Sequence, residues 1–168
     1  MKVLGIVGWS GSGKTTLLVG MLAALRARGV RVSTVKHAHH GFDLDRPGKD
    51  SFRHREAGAE ETLIVGGTRW ALMHEIRDGS EPPLPGLLAR LSAVDLVLVE
   101  GFKAYPFPKI EVYRAAVGKP PIWPGAADVV AVASDADIPG CALPVLSLDD
   151  HGAVAAFALD AAGPCPRG

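Results

Sequence analysis

Residues 8 to 15 read Gly8-Trp9-Ser10-Gly11-Ser12-Gly13-Lys14-Thr15, a Gly-x-x-x-x-Gly-Lys-Thr pattern that directly follows the apolar run Val3 to Val7. This spacing suits the binding of a nucleoside triphosphate. The glycines let consecutive backbone N–H groups turn inward around a phosphate, and a helix starting there directs the positive end of its dipole at the same anion. Lys14 would reach the β- and γ-phosphates, and the Thr15 hydroxyl would ligate Mg²⁺. Thr16, the next residue, completes the expected binding set.

A second chemical signal lies far along the chain. Glu100 follows the apolar run Leu96-Val97-Leu98-Val99 and precedes Gly101. In open α/β sheets ligands bind beyond the carboxyl ends of the strands. The Glu100 carboxylate is therefore expected beside the phosphates, holding Mg²⁺ directly or through water, and forms with Lys14 the expected catalytic pair. Asp95, at the other end of the same strand, reads as a structural boundary residue.

Lys36-His37-Ala38-His39-His40 follows a second strand pattern on the same side. Three readings stand side by side: contact with phosphates or with a second anionic ligand, transition-metal binding by the imidazoles, or a solvated turn. Lys36, His37 and His39 are the candidate ligand contacts. Asp43, Asp45 and Asp50 could complete a hard-cation shell or position a water, as a switch loop does, with Asp43 the candidate metal ligand. Beyond Glu100, the loop Phe102 to Lys109 carries aromatic residues and prolines. Its rings would either stack on a heterocycle or form a hydrophobic plug that covers the end of the sheet or meets a partner subunit.

These residues need elements to position them. Leu18, Met21, Leu22 and Leu25 fall at helical spacing after the loop, with Arg26 and Arg28 in the last turn and Gly29 beyond it. Val30 to Lys36 alternates as a strand should. Phe52 to Ala57 reads as a short helix stopped by Gly58, and the apolar runs 62–65 and 70–73 flank Gly66-Gly67-Thr68-Arg69 as a hairpin. A helix is expected around Gly86 to Ser92, a buried strand over Asp95 to Gly101, further strands over Lys109 to Tyr113 and Val129 to Ala133, and an Ala-rich helix over Asp150 to Ala161. Strands alternating with helices predict an α/β fold of the P-loop NTPase type: a mostly parallel sheet flanked by helices, with one antiparallel hairpin. One nucleotide-binding domain is expected over residues 1–162, with a fraying tail over 163–168.

Composition narrows the function classes. The 168 residues suit one compact domain, and 18 basic residues balance 18 acidic ones. That balance speaks against a nucleic-acid or membrane partner. Cys141 and Cys165 lack Cys-x-x-Cys spacing, so reduced thiols in a cytoplasm are the reading. No apolar stretch approaches the ~18 residues that span a bilayer. Met1-Lys2 and the apolar run after it resemble the start of a signal peptide, yet cleavage there would destroy the phosphate loop.

Taken in order, Gly8 to Thr15, Lys36-His37-x-His39-His40, Pro47-Gly48-Lys49-Asp50-Ser51, Val99-Glu100-Gly101-Phe102-Lys103 and Pro108-Lys109-Ile110-Glu111-Val112-Tyr113-Arg114 resemble the molybdopterin-guanine dinucleotide biosynthesis protein B family. The matches span residues 3 to 114. The resemblance implies a GTP-binding, weakly hydrolysing protein of the class that includes dethiobiotin synthetase and the metallochaperone GTPases. It also implies a homodimer that assists the guanylyltransferase joining GMP to molybdopterin. By the same resemblance Gly8 to Thr15 bind phosphates, Thr15 and Glu100 serve Mg²⁺, and the segment from Lys36 to Asp50 lies at the nucleotide or pterin-phosphate side. No Asn-Lys-x-Asp guanine-reading motif is present. Asp135, after the strand Val129 to Ala133, is the positional candidate to accept hydrogen bonds from guanine. Two competing readings use the same fold: a small-molecule kinase or ATP-dependent ligase, and a nucleotide-dependent binding module.

Overall fold

The computed structural model describes residues 1–38 and 41–166. In chain order the elements are β1 (Lys2–Val7), α1 (Lys14–Ala27), β2 (Val32–Lys36), α2 (Asp50–Glu56), β3 (Glu61–Val65), β4 (Trp70–His74), α3 (Leu84–Leu88), β5 (Leu96–Glu100), β6 (Lys109–Tyr113), β7 (Val129–Ser134), β8 (Val145–Ser147), α4 (His151–Ala161) and β9 (Gly163–Pro164). They form two compact units. The first comprises Met1–His37 and Leu84–Gly168; the second is Ala38–Pro83, inserted in sequence after β2.

The first unit is built on a sheet of order β2-β5-β1-β6-β7-β8, all parallel, with β9 paired antiparallel to β1. Period-2 alternation sends successive side chains to opposite faces. Leu4 and Ile6 of β1 and Leu96 and Leu98 of β5 therefore pack with Leu17, Met21 and Leu25 of α1 and with Val154, Ala155 and Ala158 of α4. Val3, Val97 and Val99 face the other way, against Leu84 and Leu88 of α3 and the rings of Phe102 and Phe107. Both faces are covered, as the unbroken apolar runs of β1 and β5 require.

Helix α1 closes on Arg28, with Gly29 N–H donating to Arg26 O and Val30 N–H to Leu25 O. That is the paired C-terminal bonding expected of a glycine with positive φ just past a helix end. The expected elements all form, with boundaries shifted by a few residues; α3 starts at Leu84, ahead of the window expected for it. Two strands escaped the periodicity. Strand β8 has only three residues, and β9 uses Gly163 and Pro164, which were expected to begin a fraying tail. Instead Gly163 pairs with Val3, and Cys165 N–H donates to Met1 O. Residues without a side-chain pattern pair there with Lys2 and Val3, the part of β1 that β6 leaves unpaired.

The second unit pairs β3 with β4 in the expected hairpin, with Val65 opposite Trp70 and Gly66 N–H donating to Arg69 O. Helix α2 begins at Asp50 and ends before Gly58, close to its expected span. Arg55 is the centre of this unit's ion pairs, reaching Asp43, Asp45 and Glu75. Arg77 ties the end of α2 to the hairpin by donating to Arg55 O and Ala59 O.

Candidate nucleotide-binding site

The site is assembled at the carboxyl ends of β1, β2, β5, β6 and β7, where the geometry of a parallel sheet places ligands. Its floor is the loop Gly8–Gly13 between β1 and α1. Gly8, Gly11 and Gly13 have φ of 146°, 81° and 97°, so backbone amides turn inward where other residues would be strained. Gly8 is required for a second reason. A Cβ there would lie 2.5 Å from Val112 O on β6 and 2.8 Å from Ser12 Oγ.

Helix α1 starts at Lys14 with Gly13 as its N-cap, no side-chain cap and no acidic residue in its first turn. Its amino end is thus left to an external anion. Ser12 is buried and its hydroxyl has no hydrogen-bond partner. A buried hydroxyl without a partner is costly unless something else accepts its proton, and a phosphate oxygen is such an acceptor. The residues of this loop therefore fit a polyphosphate.

Lys14 is not a free surface cation: its Nζ donates to Trp9 O at 2.8 Å. Burial holds its amine below the ordinary lysine value; Glu100 opposes the shift, and the positive fields of Lys103 and Lys36 add to it. Thr15 Oγ1 donates to Glu100 Oε1 at 3.4 Å, and Lys36 Nζ stands 3.8 Å from the same oxygen. β1 and β5 are neighbours in register, Ile6 opposite Glu100, which is why two residues so distant in sequence meet. A hydroxyl and a carboxylate this close are hard oxygen donors of the kind Mg²⁺ takes.

The other expected contacts are spread over several elements. Trp9, Ser10 and Gly11 form the outer lip of the loop, exposed, with the Trp9 indole N–H donating to Pro120 O at 2.7 Å. Thr16 is exposed on α1. His37 follows Lys36 and stacks on Phe102 with ring centroids 4.5 Å apart; its backbone N–H donates to Glu100 O at 2.9 Å. His39 and His40 lie outside the described residues. Asp43 belongs to the second unit, where its carboxylate accepts hydrogen bonds from Asp45 N–H and Arg55; these hold its carboxyl below the ordinary aspartate range, the Asp45 amide most of all. Among the described residues no cluster of three His, Cys, Asp or Glu side chains could hold a metal ion.

The Phe102–Lys109 loop resolves between its two readings toward the plug: Phe102 and Phe107 are buried, and Tyr105 Oη accepts from Leu84 N–H at 2.9 Å. Asp95 is the structural boundary residue expected, accepting from Arg31 N–H at 2.9 Å and pairing with its guanidinium at 3.2 Å.

Arg114 was not singled out from its residue type, yet it joins two predicted parts of the site. Its Nε donates to Ser12 O at 3.1 Å and its Nη1 to Asp135 Oδ2 at 3.0 Å. It follows β6 directly, as Glu100 ends β5, so the same strand-end rule would have found it. Glu111 is the other missed residue. It is fully buried, and its two oxygens accept from Ile122 N–H and Trp123 N–H at 2.8 to 3.0 Å. Burial pushes its carboxyl above the ordinary value, against the pull of those amides. It anchors the turn 122–125, close in sequence to the Pro120 carbonyl that holds Trp9.

Residues 3–135 match the family described as Molybdopterin guanine dinucleotide synthesis protein B. The chain belongs to this family. A molybdopterin-guanine dinucleotide biosynthesis adapter protein of Escherichia coli (strain K12) is 42% identical over 163 residues, covering 95% of this chain and 93% of that protein. The adapter protein of the same description from Haemophilus influenzae (strain ATCC 51907 / DSM 11121 / KW20 / Rd) is 46% identical over 126 residues, covering 71% and 67%. A crystal structure of molybdopterin-guanine biosynthesis protein B superimposes with a TM-score of 0.74 at 29% identity, over 94% of this chain and 98% of that one. The parallel sheet with flanking helices and a small antiparallel pair is the α/β P-loop NTPase arrangement expected from the sequence. The family resemblance read from residues 3 to 114 extends through Asp135.

Proposed function

We propose that the protein is an adapter in molybdopterin guanine dinucleotide biosynthesis: it binds GTP with Mg²⁺, hydrolyses it slowly, and supports the guanylyltransferase while molybdopterin is bound. The observation that carries this reading is the phosphate loop with Thr15 and Glu100 in contact beside it, in a chain of the adapter family. In this reading Gly8 to Thr16 hold the phosphates, Thr15 and Glu100 serve the metal, and Lys36, His37 and His39 are the candidate contacts for the nucleotide or the pterin phosphate. When bound, Mg²⁺ would neutralise charge on the terminal phosphates.

The working form is a homodimer in the cytoplasm. Support for self-association comes from the hairpin, whose Leu63, Val65, Trp70 and Leu72 are exposed; a contiguous apolar surface of this kind marks an interaction site. No helix among the described residues is long and apolar enough to cross a membrane.

Guanine nucleotides are expected to bind at least ~10-fold more tightly than adenine nucleotides, because a carboxylate that pairs guanine's N1–H and amine is left unmatched by adenine. Asp135 is the candidate reader, sharing its carboxylate between guanine and Arg114. Competitive titration with GTP and ATP checks the preference; equal affinities refute it, and an Asp135→Ala variant that stays selective clears that residue alone.

The adapter role itself is tested by GTP turnover with and without the guanylyltransferase and molybdopterin. Slow turnover by the isolated chain, rising when both are added, is the expected result. Rapid turnover alone contradicts an accessory role. Phosphoryl transfer to a small acceptor with adenine preference would favour the kinase or ligase reading.

A further inference from the structure

Trp9 is a meeting point for cations. Its backbone oxygen accepts Lys14 Nζ at 2.8 Å, and Lys103 Nζ sits 4.7 Å from the centroid of its ring. The indole is itself fixed, by its hydrogen bond to Pro120 O. Lys103 is exposed, so its side chain is not buried in place by packing. A cation on an exposed ring is held more weakly than one in contact with a phosphate.

The backbone that delivers Lys103 is strained. After Glu100 the chain turns through Gly101 at φ 96° and Phe102 at φ 49°, and Phe102 is the only residue other than glycine with positive φ among those described. A Cβ on Gly101 would lie 2.8 Å from His37 Cβ. Phe102 is kept in this left-handed conformation by burial, by stacking on His37 and by an edge contact with Tyr105. Strain of this sort persists only where the surroundings over-determine it, and it clusters at functional sites. Here the tight turn brings Lys103 back over the phosphate loop. Its positive field reaches Lys14, two residues of the same charge facing one loop.

From this geometry we infer that Lys103 is a second phosphate-contacting cation supplied by the chain itself, moving from the Trp9 ring to the terminal phosphate of a bound nucleoside triphosphate. The inference rests on the nucleotide reading above and deepens it. Hydrolysis forms a bond from a water oxygen to the terminal phosphorus and breaks the bond to the bridging oxygen, with one proton released to solvent. Charge gathers on the terminal and bridging oxygens as this occurs, and a cation in contact with them lowers the barrier. No arginine occupies this side of the loop among the described contacts: Arg114, on the β6 side, is engaged by Ser12 O and Asp135.

The test compares the full-length protein with Lys103→Gln and Lys103→Arg. Equilibrium titration with fluorescent GDP and with a non-hydrolysable fluorescent GTP analogue reads binding, and single-turnover hydrolysis reads the chemical step. Lys103→Gln is expected to bind GDP as the parent does, to bind the triphosphate about tenfold more weakly, and to hydrolyse GTP about tenfold or more slowly, with Lys103→Arg recovering part of both. Unchanged triphosphate affinity and turnover in Lys103→Gln would overturn the inference, as would equal loss of GDP and triphosphate binding, which assigns Lys103 to loop structure through Trp9. If the parent protein binds neither nucleotide, the nucleotide reading fails and takes this inference with it; if the parent binds both, a null result in the variant removes Lys103 alone.

Discussion

Lys14→Ala is expected to weaken triphosphate binding by roughly 10- to 150-fold, the equivalent of ~1.5 to 3 kcal/mol for hydrogen bonds to a charged group. The fold should survive the change. A lysine held below its ordinary pKa makes the folded state bind its proton less tightly than the unfolded chain does. Such a group detracts from stability at neutral pH, and the loss is recovered as pH rises from the folded pKa toward the unfolded one. Removing the ammonium therefore removes an unfavourable contribution, at the cost of the Trp9 O hydrogen bond. Calorimetric titration with GTP and Mg²⁺, together with thermal unfolding, measures both halves. A folded variant with parental affinity would sink the phosphate-loop assignment.

Glu100→Gln should separate chemistry from binding. The amide keeps the size of the side chain and can still meet Thr15, but it loses the charge that orients a metal or its waters. Hydrolysis at saturating nucleotide is expected to fall by ~10²-fold, the scale seen when groups that orient metal ligands are lost, while nucleotide affinity changes little. The side chain is only 12% exposed, so the lost charge is not replaced by solvent. Lys36 would also lose its ion-pair partner, and a stability measurement distinguishes that effect from the catalytic one. Single-turnover rates across a Mg²⁺ series are the decisive data. A parental rate would leave Glu100 as an anchor for Thr15 and Lys36 and nothing more.

The glycine-rich loop was legible because its pattern is local. Glycines, a lysine and a threonine at fixed spacing, between an apolar strand and a helical period, describe one continuous piece of backbone whose bonds close within a few residues. Strand β5 was legible for a related reason: its four consecutive apolar residues suit a strand buried on both faces, and its end is marked where polarity resumes at Glu100. Placing Glu100 near the loop needed one more step, the rule that ligands gather at carboxyl ends of parallel strands, and the β1–β5 register bears it out with the 3.4 Å contact to Thr15.

Where contacts depend on distant residues, the chain alone was silent. Nothing in the spacing of Trp9, Pro120, Glu111 and Trp123 says that a buried carboxylate would gather backbone amides of one loop while a neighbouring carbonyl of that region held the indole of another. Arg114 and Asp135 directly follow adjacent strands, and only the β6–β7 pairing brings them within 3.0 Å. Strand β9 has no side-chain signal at all, because its pairing uses backbone groups that every sequence carries. By itself the sequence determined the glycine-rich turn between β1 and α1, the alternation of strands and helices and the family, since these follow from residue type and short-range period. Tertiary structure alone decided which cations and carboxylates share the loop, because charge interactions follow distance in space, and strand order sets that distance.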